Sequence, residues 1–527
     1  MDTQDRTEAH PGKDAQIYTR LVRRLELDSH ADPVAFRRRV SLIGAVAIAA
    51  IAFVPALFVL LSVLAARYAL AAHIGAAAIK LALLALLPLA ALLLILRTLL
   101  VRIPPPAGRR LTRAEAPALF DMLEKIRMKL GGPRIDHVLV DDRYNAAIAQ
   151  SAWFGLAGLP GLLGLSRCGT SYLMLGLPYM LGVPTREMAA TVAHELGHLC
   201  GNHGRSAARV YRQRLVFGAL HGHVRALAAD SMFHRAAAAV LDRLMPYYNA
   251  YTFVLARQNE YDADRAASDV AGSVANAQGL VRDTLQARWI ADAFWPTLLR
   301  QADHAARPAF MPFAAMGTAL KAGYAQWAQP AALAAALAER SGVHDTHPCL
   351  RERVDAIGER PALPRPVERS AAEVLLPAET LRTLVREFDD AWWAHAGRHW
   401  QARHREASRD RLRLAELAAQ PLAALSPASL YELALLRAEL ESPAAARGVL
   451  VHLLAQPGGP FPRAAYHYGC ILLADGSDAG LFQLEAAVAH DRTLADAAIA
   501  EGCAFLRRTK GERAARLWRD GLLPRAA

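Results

Sequence analysis

His194 and His198 stand four positions apart, with Glu195 beside the first, in the run Arg186-Glu187-Met188-Ala189-Ala190-Thr191-Val192-Ala193-His194-Glu195-Leu196-Gly197-His198. On an α-helix, residues four apart share a face, so both imidazoles can turn to one metal ion with the carboxylate next to them. Neutral imidazoles suit zinc, and the adjacent carboxylate suits removal of a proton from a water that zinc has acidified. The plainer alternative is a helix that carries two histidines by chance. A catalytic zinc usually has three protein ligands and one open position, so the pair is incomplete. A metzincin would place its third histidine at 204; that residue is Gly204, and His203 is one place early. The third ligand must come from elsewhere. Glu260 is the candidate, with Asp264 one turn further along the same face: Glu260 would bind the metal, and Asp264 could hold the N–H of a ligand histidine. Such an acid pair taken singly more often solvates a helix surface; beside the histidine pair the ligand role gains weight.

These groups need helices to carry them, and the composition supplies helix formers. Of the 527 residues 54% are hydrophobic but only 7% aromatic, so Ala and Leu carry the excess and the chain reads as mainly α with a small β-sheet. Pro184-Thr185-Arg186-Glu187 opens the His194 helix with a capping hydroxyl and an early acid. Leu111 to Leu130 has helical periodicity, Ile135 to Val140 alternates as a short strand running into Asn145-Ala146-Ala147, and Tyr172 to Gly176 reads as a strand. Between His203 and Glu260 the pattern is amphipathic helix, and Pro377 to Ala419 suits one or two long charged helices. In the tail, Leu450, Leu484 and Trp518 stand 34 apart and Leu436, Gly469 and Gly502 stand 33 apart, the period of tetratricopeptide helix pairs.

The net charge of +12 comes from arginines scattered among acids and alanines, without interleaved aromatics, so nucleic acid is not an expected partner. Five widely spaced cysteines form neither a disulfide framework nor a cysteine zinc site, and Cys200 reads as a small buried hydrophobe.

The polar start of the chain lacks the apolar run of a signal peptide. Ile17, Leu21 and Leu25 among Arg20, Arg23 and Arg24 suggest either a helix lying on a membrane surface or an ordinary solvated one. Ser41 to Ala66 carries no charge, and a second apolar run extends from Ile74 to Leu96; each is long enough to span a bilayer of about 20 helical residues. Arg37, Arg38 and Arg39 before this hairpin, and Arg97, Arg102, Arg109 and Arg110 after it, place both flanks in the cytoplasm. The cysteine usage agrees.

His194-Glu195-Leu196-Gly197-His198 with His203, Glu260-Tyr261-Asp262-Ala263-Asp264, Asn145-Ala146 and His347-Pro348 with Arg353 together resemble the HtpX-like and CAAX-prenyl-protease type of membrane-bound zinc metallopeptidases, over roughly residues 110 to 360. The resemblance implies one Zn2+ per chain held by His194, His198 and Glu260, Glu195 as catalytic base and Asp264 as a proton donor. It implies His347 or Arg353 as oxyanion stabiliser, while Asn145 reads as holding the substrate or an edge strand. It also implies an edge strand just before the His194 helix that pairs with substrate backbone, at Tyr172 to Gly176 here. The segment between the two metal motifs is too charged for the extra spans of HtpX-like members, so the enclosed chamber of the CAAX protease is not expected.

The expected layout is a cytoplasmic segment (1–40), a transmembrane hairpin (41–102), a zincin-type metalloprotease domain (110–360), a helical linker (361–420) and tetratricopeptide-like repeats (421–527). The expected function is a zinc endopeptidase in a bacterial cytoplasmic membrane, facing the cytoplasm. Its partners would be protein or peptide substrates, membrane lipid and an adaptor bound by the repeats. The rivals are a catalytically silent scaffold, against which the intact Glu195 argues, and a processing protease for lipidated substrates.

Overall fold

The computed structural model describes residues 13–71, 105–151, 170–200, 232–342, 345 and 347–522, with a few positions between 218 and 229. Two compact units form: Met1–Thr297 with Phe310–Trp393, and Leu298–Ala309 with Ala394–Ala527.

In the first unit, α1 (Lys13–Ala31) and α2 (Pro33–Ala71) precede β1 (Arg109–Leu111) and α3 (Pro117–Leu130). Next come β2 (His137–Asp141), β3 (Ala146–Ser151), β4 (Thr170–Gly176), α4 (Leu177–Gly182) and α5 (Thr185–Gly197). The long helix α6 (Met232–Ala271), α7 (Ser273–Trp289) and, after several short helices, α8 (Leu350–Ile357) complete the surroundings of the site. The sheet order is β1-β2-β4-β3, with β4 parallel to β2 and antiparallel to β3.

That order corrects two expectations. The strand expected to run from Ile135 into Asn145 is two strands, β2 and β3. The Tyr172–Gly176 strand is an inner strand, and β3 takes the edge beside α5. The chain returns from β3 to pair β4 on its other side, which alternation within either strand alone could not reveal. At the end of β4, a Cβ on Gly176 would collide with the Arg143 carbonyl, so glycine is required where that turn passes.

The α5 terminus also differs from expectation. Pro184 is its extended N-cap residue and no side chain caps it, so the Thr185 hydroxyl is not a cap. Glu187 does not face solvent: it forms a buried ion pair with Arg282 of α7 at 2.6 Å, and Arg282 also donates to the Arg365 carbonyl at 2.7 Å. Met188, Val192, Ala193 and Leu196 of α5 enter the core with Leu173 and Leu175 of β4 and Leu119 and Leu123 of α3. Between α5 and α6 the contact surface is small side chains, with Ala190, Ala267 and Ala271 packed together beside Ala275 of α7. A Cβ on Gly197 would lie 3.1 Å from Ala263 Cα and 3.2 Å from Ala266 Cβ, so the glycine inside the histidine motif permits the close crossing of α6.

Of the apolar stripe Ile17, Leu21 and Leu25 of α1, Leu25 is buried and Leu21 partly buried, while Ile17 is exposed. Val22 and Leu25 are buried with Phe36 and Val40 of α2 and with Phe253 and Val254 of α6, in place of either a membrane surface or solvent. Among the described residues no helix is long and apolar enough to cross a membrane. The first expected span, Ser41 to Ala66, lies within α2, while Ile74 to Leu96 lies outside the described residues.

The expected linker region holds α9 (Ala378–Ala418), one charged helix of 41 residues. The second unit then contains three helix pairs: α10 (Pro427–Leu440) with α11 (Pro443–Leu454), α12 (Pro462–Ala474) with α13 (Ala479–His490), and α14 (Ala495–Lys510) with α15 (Glu512–Leu522). Leu436, Gly469 and Gly502 fall on the first helix of each pair, and Leu450, Leu484 and Trp518 on the second. The glycines lie where the partner helix comes close: a Cβ on Gly469 would meet the Gly480 carbonyl at 3.0 Å, and one on Gly502 would collide with the Trp518 ring.

Candidate active site

His194 lies in the last turn of α5, and His198 follows its end with φ −61° and ψ −24°, so the helical spacing of the pair is kept. Glu260 and Asp264 project from α6, which Gly197 admits against the histidine-bearing end of α5. His194 Nε2 and His198 Nε2 are 3.2 Å apart, and the Glu260 oxygens lie 3.6 Å from the first and 3.5 Å from the second. Zinc held tetrahedrally at 2.0–2.1 Å separates its ligand atoms by about 3.3–3.4 Å. Each Glu260 oxygen thus faces one of the two imidazoles, Oε2 towards His194 and Oε1 towards His198, and two nitrogens with a carboxylate are a suitable donor set for one zinc ion.

Glu195 also brings a carboxylate oxygen within 4.8 Å of both imidazoles. Its Oε2, however, accepts the backbone N–H of Ile148 at 3.0 Å. Glu195 thus stands between the histidines and the edge strand, and Glu260 is the better third ligand on distance. Burial pushes the Glu195 carboxyl up, opposed by the positive charge on His194 and by the Ile148 N–H.

His194 Nδ1 donates to Asp264 Oδ1 at 2.9 Å, which fixes the ring and leaves Nε2 for a metal. Burial would lower this imidazole, but hydrogen bonds to Asp264 and Glu260 raise it to about 9. His198 is pulled down to about 4 by burial and the neighbouring His194 charge, so it is neutral at physiological pH, the form a metal requires. Burial would raise Glu260, yet hydrogen bonds from His194 and His347 hold it well below the usual carboxylate range.

The remaining expected residues fall as follows. Arg353, on α8, donates from Nε and Nη2 to the two Asp264 oxygens at 2.9 and 2.6 Å. Its guanidinium is thus directed at the carboxylate that orients His194. His347 Nδ1 lies 2.8 Å from Glu260 Oε2 with the side chain 67% exposed. Asn145 is exposed, and its backbone carbonyl accepts the Gly176 N–H at 2.8 Å, closing the end of the β3–β4 pair. His203 lies outside the described residues. Cys200 packs at the core margin, where burial raises its thiol to about 11. No local pattern pointed to Ile148, whose backbone rather than side chain makes the contact, or to the Glu187–Arg282 pair, whose partners are far apart in the chain.

Residues 173–361 match the model of peptidase family M48. No curated protein and no solved structure matches the chain significantly. The M48 segment begins within β4 and ends just beyond α8, so it contains His194, Glu195, His198, Glu260, Asp264, His347 and Arg353. The edge strand β3, with Asn145 before it, precedes the matched residues.

Proposed function

We propose that the protein is a zinc-dependent endopeptidase with one zinc ion held by His194, His198 and Glu260. The observation that carries this reading is the approach of the His194 and His198 Nε2 atoms to 3.2 Å, with one Glu260 oxygen 3.6 Å from the first and the other 3.5 Å from the second, within the segment that matches peptidase family M48. Zinc bound there would acidify a water and polarise the scissile carbonyl. Glu195 takes the proton of the attacking water and passes it to the leaving amine. Asp264, held by Arg353, keeps the His194 ring in the tautomer whose Nε2 is free.

The substrate backbone pairs with the outer edge of β3. In an antiparallel pair, successive residues point their backbone groups alternately inward and outward. Asn145 bonds inward to Gly176 and Ile148 outward to Glu195, so Ala146 and Gln150 offer their backbone groups, and Ile148 its carbonyl, to a substrate strand. Recognition through backbone gives broad tolerance of substrate sequence. The three helix pairs of the second unit would add a surface for a substrate or an adaptor, as stacked helical repeats do.

A membrane anchor on the cytoplasmic side belongs to the same reading. Its support is the uncharged run Ser41 to Ala66 on α2, where Leu42, Val46, Phe53, Leu60 and Val63 are all exposed. The experiment is metal analysis of the purified protein with digestion of a casein-like substrate. One zinc per chain and activity that a chelator removes and zinc restores are expected; proteolysis indifferent to both would overturn the reading.

A further inference from the structure

The Glu260 carboxylate is held by an imidazole that packing does not hold. His347 is 67% exposed, yet its Nδ1 lies 2.8 Å from Glu260 Oε2. Its place must therefore come from the residues that follow it into α8, the buried Pro348 and the half-buried Cys349. The chain before them is tied at Ser341, whose hydroxyl accepts the Cys349 N–H at 2.7 Å and donates to Glu352 at 2.8 Å, and at Gly342, whose carbonyl accepts from Arg257 Nη2 at 2.9 Å.

Arg257 is on α6, three residues before Glu260 and on the same side of the helix. Its other terminal nitrogen, Nη1, donates to Glu26 of α1 at 2.7 Å, and its guanidinium lies over the Phe253 ring at 4.8 Å. One guanidinium thus joins the N-terminal helix, the metal-motif helix and the segment presenting His347. Two further ties run along the same seam: Gln258 donates to the Ser29 carbonyl at 3.1 Å, and Arg37 of α2 pairs at 3.3 Å with Asp262, inside the Glu260–Asp264 motif.

We propose that Arg257 is a positioning residue of the metal site, which couples α1 to the His347 segment and through His347 sets the Glu260 carboxylate. The inference rests on the metal-site reading above. A lysine could reach one partner but not both, because only the guanidinium presents donors in a fixed fork.

The test is zinc affinity by chelator competition on the full chain, for wild type, Arg257→Met, Arg257→Lys, His347→Ala and the double variant Arg257→Met with His347→Ala. Met keeps the stem over Phe253 and removes both hydrogen bonds. Arg257→Met should weaken zinc binding by about 10-fold or more, as loss of a group supporting a ligand does. Arg257→Lys should fall between it and wild type. In the His347→Ala background the Arg257 change should cost less than about twofold, because its route to the ligand is already cut. Hydrogen exchange in the metal-free protein gives a second readout, with the Gly342 and Cys349 amides exchanging faster in Arg257→Met. A full additive loss in the double variant, or wild-type affinity in Arg257→Met, would overturn the proposal. Absence of zinc binding by wild type would instead fail the metal-site reading, and unchanged exchange at the two amides would then refute the Arg257 tether on its own.

Discussion

Glu195 Oε2 and the backbone N–H of Ile148 lie 3.0 Å apart, so the carboxylate next to the histidine pair is tied to the edge of the sheet rather than to another side chain. The Ile148 N–H points out of the sheet, so a proline there deletes the donor without losing a ladder bond. Ile148→Pro should fold. The lost donor stabilised the charged carboxylate, so Glu195 rises further and the acid limb of kcat/KM moves to higher pH. Ala149→Pro, whose N–H faces β4, should unfold at lower temperature. Comparing pH–rate profiles and melting curves checks both, and an unmoved acid limb in a folded Ile148→Pro protein would remove the contact from the mechanism.

Arg353 and Asp264 form a two-pronged pair behind His194. Asp264→Asn keeps the shape and removes the charge, so zinc affinity should fall about 10–100-fold with the fold intact. Arg353→Lys should fall in the same direction, since an ammonium cannot reproduce both bonds. Titration against a chelator measures this, and wild-type affinity in Asp264→Asn would show that the His194 ring does not need its partner.

The spacing of the candidate site was the most legible part of the chain, because the histidine pair and the Glu260–Asp264 pair are helical spacings that survive in any tertiary setting. The helices of the tail were legible in its helical periodicity, and the residues at the 33- and 34-residue spacings fall on them. What the sequence hid was relation between distant segments. Nothing local distinguishes an inner strand from an edge strand, so β3 was missed. The apolar stripe of α1 is indifferent to whether lipid, water or α6 covers it, and burial with Phe253 had to be seen. Arg353 carries the right charge for an oxyanion, but its ion pair with Asp264 depends on a residue 89 positions away.

Gly197→Ala tests the helix crossing. The added methyl meets the Ala263 backbone, which cannot rotate aside, so the change should cost about 1–3 kcal/mol as overpacking does. Because α5 and α6 each carry zinc ligands, zinc affinity should fall as well. Denaturant melts and metal titration read the two effects, and a neutral result in both would contradict the close crossing.

Asp283 tests the buried polar layer behind α5. Its Oδ1 is buried without a hydrogen-bond partner, and burial with the nearby Glu187 charge pushes its carboxyl up to about 8 against an ordinary 3.8. Between these values the folded protein keeps the proton while the unfolded chain has released it, so wild-type stability falls as pH rises from about 4 to about 8. Asp283→Asn, which cannot ionise, should gain stability relative to wild type across that window and no further above it. Parallel melting curves from pH 4 to pH 9 check this; a constant difference would place Asp283 outside the linkage.

The central claim is a zinc held by His194, His198 and Glu260, with Glu195 as the base beside it. Glu195→Gln alters the base and leaves every proposed ligand in place. The decisive measurement is zinc content together with peptide-bond hydrolysis in that one variant. The account predicts one zinc per chain, as in wild type, and loss of turnover by about 100-fold or more, the scale of general-base catalysis. Retained turnover, or loss of the metal along with the activity, would contradict it.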